Sequence, residues 1–100
     1  MTRAYRFTVR GAVQRVGFRA ATAAAAQRLT LCGWVRNRGD GSVYGAVRGQ
    51  SDAALAKFRR FLEQGPPTAR VEQVEWIAAA DADDAGIDPE RPFQVRYDRG

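Results

Sequence analysis

The chain has 100 residues, of which 16 are Lys or Arg and 11 are Asp or Glu, so its formal net charge at pH 7 is +5. It contains no His and a single Cys, Cys32, which excludes Ser/His/Asp and Cys/His nucleophile systems, His-ligated zinc and an internal disulfide. No apolar stretch approaches the roughly 20 residues of a membrane span, and the N-terminus lacks the apolar segment of a secretory signal. A single cytoplasmic domain over residues 1–100 is therefore the expectation.

Alternating side chains predict the first strand, and the composition that follows predicts a helix. Tyr5, Phe7 and Val9 alternate with polar residues over 5–10, which is typical of a half-buried strand. The Ala-rich run over 20–30 has high helix propensity. We expect Gly33 to end that helix.

A hairpin and a second helix follow. A glycine-rich turn over residues 38–41 separates predicted strands over 34–37 and 42–48. Ser51 is a candidate N-cap for a helix whose apolar residues recur at helical spacing. The run Gly65-Pro66-Pro67 ends that helix.

Two further strands complete the predicted element order, over residues 71–77 and 93–97. The order is strand, helix, strand, strand, helix, strand, with a final strand added. It predicts an α+β fold of the ferredoxin-like, split βαβ type, in which a mostly antiparallel sheet carries two helices on one face.

Charge is distributed unevenly along the chain. Residues 1–50 hold nine Arg and one acid, whereas residues 51–100 hold seven basic residues and ten acids. Arg suits bidentate recognition of phosphate and carboxylate groups, so an anionic partner is favoured. The acidic run in the second half does not match a calcium loop, because Ala85 and Pro92 stand where oxygen ligands belong, so we expect a solvated loop and no metal. Its four carboxylates belong to Asp81, Asp83, Asp84 and Asp88.

Two glycine-bearing segments lie in the basic half, over residues 11–19 and 33–43. The first joins strand to helix, so its backbone N–H groups and the positive end of the helix can face an anion, with Arg19 where the helix begins. It matches neither a P-loop nor a dinucleotide fingerprint. By itself, this pattern leaves open a purely structural role in which Gly11 and Gly17 only serve the turn.

The same segments resemble the two signatures of the acylphosphatase family. Residues 9–19, V-R-G-A-V-Q-R-V-G-F-R, are similar to an aliphatic residue followed by G-x-V-Q-G-V-x-F-R. Residues 33–49 fit G-W-V-[KR]-N-x-x-x-G-x-V and a later Gly at every specified position. The chain length, the element order and the segment Phe93 to Tyr97 resemble the family as well.

The resemblance implies an enzyme that hydrolyses the carboxyl-phosphate bond of acyl phosphates, giving a carboxylate and inorganic phosphate without metal, cofactor or covalent intermediate. It implies that Arg19 is the catalytic residue that binds the phosphate oxygens and that Asn37 is the catalytic residue that orients the attacking water. Backbone N–H groups complete the implied phosphate site, which comprises Val13, Gln14, Arg15, Val16, Gly17, Phe18 and Arg19. So sparse a site suits phosphoryl transfer, because that reaction depends mainly on positioning and charge stabilisation, and a carboxylate leaves without a general acid.

Arg15 departs from the family pattern, which has Gly at this position. If the position needs a positive φ, a non-Gly residue costs on the order of 1–2 kcal/mol and can turn an N–H group away from the phosphate. Equally, Arg15 can add a second cation beside the anion. The sequence therefore leaves two interpretations: an active acylphosphatase, and a weakened or inactive phosphate-binding relative.

Two other functions share part of this pattern. RNA-recognition modules have the same element order, but Arg6, Thr8 and Arg10 on the solvent side of the first strand provide no aromatic ring, so nucleic acid is a poor partner. A similar domain begins larger hydrogenase-maturation proteins that handle carbamoyl phosphate and carry cysteine-rich zinc segments, so a stand-alone protein is the simpler expectation for a sequence with one Cys. A monomer is the simplest expectation for its oligomeric state. Nothing in the sequence selects among small acyl phosphates.

The remaining conspicuous side chains are assigned no chemistry. Cys32 is expected to be a small buried apolar residue. Both tryptophans, Trp34 and Trp76, are expected to pack in the core or at the sheet edge. The hairpin arginines are expected to be solvated charges; they are Arg36, Arg38 and Arg48.

Overall fold

The computed structural model describes residues 2–79 and 85–97, which form one sheet and two helices. The strands are β1 (Arg3–Ala12), β2 (Cys32–Asn37), β3 (Val43–Gly49), β4 (Arg70–Ala78) and β5 (Gln94–Val95), and the helices are α1 (Phe18–Arg28) and α2 (Asp52–Gln64). The predicted element order is confirmed, and the helices begin within about two residues of their predicted starts. Neither of these described helices is long and apolar enough to cross a membrane.

The five strands form a sheet in the order β4-β1-β3-β2-β5. All neighbours are antiparallel except β2 and β5, which are parallel. Each helix therefore connects two parallel strands that flank a third strand, which is the split βαβ arrangement. The predicted ferredoxin-like fold with a mostly antiparallel sheet is confirmed.

The main core lies between one face of the sheet and both helices. Phe7 and Val9 of β1 pack there with Phe18 of α1 and with Phe58 and Leu62 of α2, all almost fully buried. Burying side chains of this size contributes about 1.5–3 kcal/mol each. Because Phe18, the first residue of α1, is buried in the same core as Phe7 and Val9, the N-terminal end of α1 is held against the sheet.

A smaller cluster covers part of the opposite face of the sheet. Trp34 of β2 and Ala46 of β3 pack there against Ala85 and Ile87. The Trp34 indole Nε1 donates a hydrogen bond of 2.7 Å to the carbonyl oxygen of Ala85. The expected packing role of Trp34 is confirmed, and Trp76 packs against the main core.

Gly33 does not end α1, and this prediction was wrong. The helix ends at Arg28, and Thr30 takes the left-handed conformation (φ 58) that terminates it. The Leu31 N–H then bonds to the Ala26 carbonyl at 2.9 Å, the closing bond of a Schellman motif. Gly33 lies inside β2 with φ 145, where a Cβ atom would stand 2.0 Å from the Ala46 carbonyl oxygen. The glycine is thus required by strand pairing, and Thr30 ends the helix.

Strand register brings the C-terminal ends of β1 and β2 to the same end of the sheet. Val43 pairs with Val9 on one side and with Asn37 on the other. Asn37 is the last residue of β2, and it lies level with the stretch of β1 that leads into the loop before α1. The two glycine-bearing segments therefore meet in space.

Candidate active site

The loop between β1 and α1 ends in a helix start that leaves backbone donors available. Gly17 is the N-cap of α1, has φ 77, and contributes no side-chain cap. The first hydrogen bond of the helix runs from the Ala21 N–H to the Gly17 carbonyl at 3.0 Å. The N–H groups of residues 18–20 therefore have no partner within the helix, and the helix dipole adds positive potential beside them. Such a helix start is suited to bind an anion.

Arg15 occupies the position at which the family pattern has Gly, and its φ is 65. The backbone at this position therefore lies in the left-handed region, which is the condition under which a non-Gly residue was expected to be strained. A non-Gly residue there costs on the order of 1–2 kcal/mol. The loop adopts the glycine-like backbone in spite of that cost.

A cavity of about 140 Å³ lies between this loop, the end of β2 and the residues around β5. It is much smaller than the roughly 300–1,000 Å³ typical of sites for drug-sized ligands, so it fits a small group such as a phosphoryl group. The described residues that line it are Val13, Arg15, Gly17, Phe18, Arg19, Ala20, Asn37, Val95 and Tyr97. The cavity thus joins most of the predicted phosphate loop to both predicted catalytic residues.

Arg19, the second residue of α1, is half-buried in the cavity wall. Its Nη1 donates a hydrogen bond of 3.1 Å to the Arg96 carbonyl oxygen. Its guanidinium carbon lies 4.7 Å from the centroid of the Tyr97 ring, within the range of a cation–π contact. The Arg96 N–H in turn donates to the Val35 carbonyl at 2.8 Å, which fixes this segment to β2. Residues 96 and 97 therefore orient Arg19.

These contacts of residues 96 and 97 with Arg19 were not predicted. Alternation of side chains indicated a strand over 93–97, but it gave no information on which loop that strand approaches. The aromatic residue at 97, placed after a basic residue near the chain end, was the available signal. The structure places its ring against a predicted catalytic group.

Asn37 also belongs to the lining of this cavity. Its Oδ1 atom is buried and accepts no hydrogen bond from any residue that the structure describes. A buried acceptor without a donor costs about 1–3 kcal/mol. The Asn37 Oδ1 is therefore an unsatisfied acceptor held at the end of β2, beside the predicted phosphate loop.

Gln14 and Val16 of the predicted phosphate loop do not line the cavity. The Gln14 Nε2 donates two hydrogen bonds of 2.8 Å, to the carbonyl oxygens of Arg38 and Ser42. Val16 packs against the main core, and its carbonyl accepts a 2.7 Å bond from the Thr68 hydroxyl. Gln14 thus connects the loop to the hairpin that carries Asn37.

We expect Gln14→Ala to lower the free energy of unfolding by about 1–2 kcal/mol, because both hydrogen bonds are lost. Activity should fall as well, since the distance between the loop and Asn37 is no longer fixed. Urea denaturation measures the first effect. Gln73→Ala, which removes an exposed amide on β4, is the control and should change stability by less than about 0.5 kcal/mol. An unchanged midpoint in Gln14→Ala would contradict the connecting role.

Asp40 stabilises the turn of the same hairpin. Its Oδ1 accepts hydrogen bonds from the Ser42 hydroxyl and from the Ser42 N–H, at 2.5 and 2.9 Å. These bonds, with the Arg10 guanidinium 3.2 Å away, lower the pKa of Asp40 to about 2. The carboxylate therefore stays ionised at neutral pH, paired with Arg10 outside the cavity.

Of the hairpin arginines, Arg38 is exposed as expected, whereas Arg36 and Arg48 are partly buried, which corrects the expectation for these two. The guanidinium carbons of Arg36 and Arg38 lie 4.6 and 4.1 Å from the centroid of the Tyr44 ring. Trp34 packs edge-on against the same ring at a centroid separation of 5.4 Å. A nucleic-acid base could stack on Tyr44 only by displacing these contacts, which argues against the RNA-binding alternative.

The other predicted features that the structure describes lie outside this cavity. Most of the acidic run falls outside the described residues; Asp88, which is described, pairs with Arg91 at 3.3 Å. Cys32 is only partly buried, which corrects the expected burial, and its thiol donates to the Pro89 carbonyl at 3.6 Å. It lines a larger cavity of about 560 Å³, next to the C-terminal end of α1. That cavity includes none of the predicted catalytic or phosphate-loop residues.

Comparisons with known proteins agree with the two sequence signatures. The family model for acylphosphatase matches residues 5–88. An acylphosphatase of Azoarcus sp. (strain BH72) is 48% identical over 80 residues, which make up 80% of this chain and 81% of that relative. An acylphosphatase of Actinobacillus succinogenes is 55% identical over 65 residues, or 65% of this chain and 71% of the relative. The solved structure of an acylphosphatase from Coxiella burnetii has a TM-score of 0.82 at 30% identity, covering 95% of this chain and 93% of that one.

Proposed function

The chain belongs to the acylphosphatase family, and from that premise we propose that it hydrolyses acyl phosphates by a metal-independent mechanism that depends on Arg19, Asn37 and the amides of the loop over residues 13–19. One observation carries the proposal: the three components line a single small cavity. The reaction splits the bond between the phosphorus and the carboxylate oxygen, and water supplies the new oxygen on phosphorus.

Phosphate binding is proposed for the end of the cavity at the start of α1. The Arg19 guanidinium offers a planar fork of N–H donors, and the unpaired N–H groups of the first helical turn lie next to it along the chain. Charge on the equatorial oxygens persists through the loose transition state of phosphoryl transfer, so donors fixed in advance stabilise that state. The contacts of Arg19 with the Arg96 carbonyl and the Tyr97 ring hold the fork in place before substrate arrives.

Water activation is proposed for Asn37. Its amide both donates and accepts hydrogen bonds but cannot take up a proton at neutral pH. We infer that it orients a water molecule toward the phosphorus, opposite the leaving oxygen. A strong base is unnecessary in a loose transition state, because little bond formation to the nucleophile is needed before the leaving group departs.

The leaving group explains why the proposed site needs no general acid. A carboxylate whose conjugate acid has a pKa near 4 departs as a stable anion at neutral pH. No covalent intermediate is needed either, since water can attack phosphorus directly. The carboxylate nearest to Asn37 along the chain belongs to Asp40, which is ionised, accepts a hydrogen bond from Ser42 and forms an ion pair with Arg10.

An active enzyme is favoured over an inactive phosphate-binding relative. Arg15 adopts φ 65, and the loop that contains it still lines the cavity with Arg19 and Asn37. The departure from the family pattern therefore does not separate the residues that the proposed mechanism requires.

We further infer that the 100 residues act as one cytoplasmic, monomeric domain. Arg19, Asn37 and the loop over residues 13–19 all belong to one copy of the chain and line one cavity, so the proposed chemistry requires no residue from a second copy. The only cysteine is a free thiol, as is usual in a reducing compartment.

Benzoyl phosphate hydrolysis by the purified protein tests the proposal. We expect turnover in buffer containing excess EDTA to equal turnover in buffer with added Mg²⁺, because positive charge is supplied by Arg19 and backbone amides. Release of inorganic phosphate measures the rate. Turnover that disappears in EDTA and returns with Mg²⁺ would contradict metal independence, and absence of turnover in both buffers would favour the inactive relative.

A further inference from the structure

Arg15 supplies the proposed active site with a cation that has no partner among the residues that the structure describes. Arg15 is exposed and belongs to the lining of the same cavity as Arg19 and Asn37. In the part of the chain that the structure describes, Arg15 makes no ion pair, side-chain hydrogen bond or ring contact. Arg19 by contrast is held by a carbonyl group and a tyrosine ring.

Arg15 and Arg19 occupy different positions along the loop, and these positions indicate different roles. Arg19 is half-buried at the start of α1, beside the backbone donors suited to a phosphoryl group. Arg15 precedes the helix, with φ 65, and stands on the exposed rim of the cavity. A cavity of about 140 Å³ has little room beyond a phosphoryl group, so the acyl part of a substrate must extend toward that rim.

The electrostatics of the rim favour a second negative charge. The described residues that line the cavity include two arginines and no Asp or Glu. An exposed guanidinium forms bidentate hydrogen bonds to carboxylate or phosphate oxygens at little desolvation cost. An acyl group that carries such an anion can therefore pair with Arg15 while its phosphoryl group pairs with Arg19.

We propose that Arg15 makes this enzyme selective for acyl phosphates whose acyl group bears a second anionic group. The inference rests on the proposed function and assigns its substrate class. The selecting group is the Arg15 guanidinium, and the selected feature is a carboxylate or phosphate on the acyl side of the scissile bond. Exposed ion pairs contribute about a twofold to fivefold preference.

The test compares benzoyl phosphate with 3-carboxybenzoyl and 4-carboxybenzoyl phosphate, which differ only by an added anion. The measured quantity is kcat/KM for the better of the two carboxylated substrates divided by kcat/KM for benzoyl phosphate. We expect this ratio to fall about twofold to fivefold in Arg15→Gly. Arg15→Gln, which keeps side-chain length without charge, should lower the ratio similarly. Raising the ionic strength to about 1 M should bring the wild-type ratio toward that of the variants.

Arg60→Ala is the matched control, because it removes an exposed arginine from α2, on an element that does not line the cavity. It should leave the ratio unchanged. A ratio that is the same in wild type, Arg15→Gly and Arg15→Gln would overturn the inference and indicate that Arg15 acts on the phosphoryl group or not at all. That outcome is distinct from failure of the proposed function, in which the wild type hydrolyses none of the three compounds and both proposals fail.

Discussion

Arg19→Ala lowers kcat/KM for benzoyl phosphate by about a thousandfold or more, with both weaker binding and slower turnover. The variant loses the only half-buried guanidinium among the described residues that line the cavity. Arginines that stabilise transferring phosphoryl groups contribute factors of about 10³–10⁵. Steady-state kinetics measure the loss in kcat/KM. The separate changes in KM and kcat show how much of that loss lies in the turnover of bound substrate.

Two companion variants separate charge from geometry. Arg19→Lys keeps the positive charge but not the planar fork, so it should recover part of the binding and little of the rate. Arg60→Ala removes a cation of the same type from the exposed surface of α2 and should leave both parameters unchanged. A loss of less than tenfold in Arg19→Ala, in a variant with wild-type circular dichroism, would show that phosphate is held elsewhere.

Asn37→Ala lowers kcat by about a hundredfold to a thousandfold and changes KM little. The amide is proposed to act on water and not on the phosphate, so its loss removes an interaction made mainly in the transition state. Losses of this size are typical when one positioned hydrogen-bonding group is removed from an active site. The expected result is a protein that still binds inorganic phosphate but turns over slowly.

Stability measurements distinguish a catalytic Asn37 from a structural one. Its buried Oδ1 has no donor among the described residues, so truncation removes an unsatisfied acceptor. The free energy of unfolding of Asn37→Ala should therefore equal or exceed that of the wild type. Gln73→Ala on β4 serves as the control for removal of an amide. A clear loss of stability in Asn37→Ala, together with near-normal kcat, would reverse the assignment.

Most of the fold could be predicted because its signals are local. Alternation over residues 5–10, the Ala-rich run and the glycine-rich turn each report on neighbouring residues, and neighbours determine whether a segment is helix or strand. The end of α1 was predicted wrongly because Gly33 was assigned to the helix end, whereas the need for glycine at this position comes from a nonlocal contact. Gly33 is required by the approach of the Ala46 carbonyl from β3, and no rule about sequence neighbours contains that information.

The same distinction between local signals and nonlocal contacts applies to the candidate site. Arg19 and Asn37 were identified from the two signatures, and the structure places both at one cavity. The contact between Gln14 and the hairpin and the contact between Arg19 and residues 96 and 97 were missed. Each joins parts of the chain that are brought together only by sheet register, so neither is visible in the order of residues.

The hydrogen bond from Arg19 to the Arg96 carbonyl spans 77 positions of the chain. It can form only after β5 has joined β2, and contacts of such large sequence separation are slow to close. An early folding species that has β1, α1 and the hairpin would hold the loop and Asn37 without the support that orients Arg19. Recovery of hydrolysis during refolding would then report the docking of the last strand, while circular dichroism would report the helices, and the delay between the two signals would time that final step.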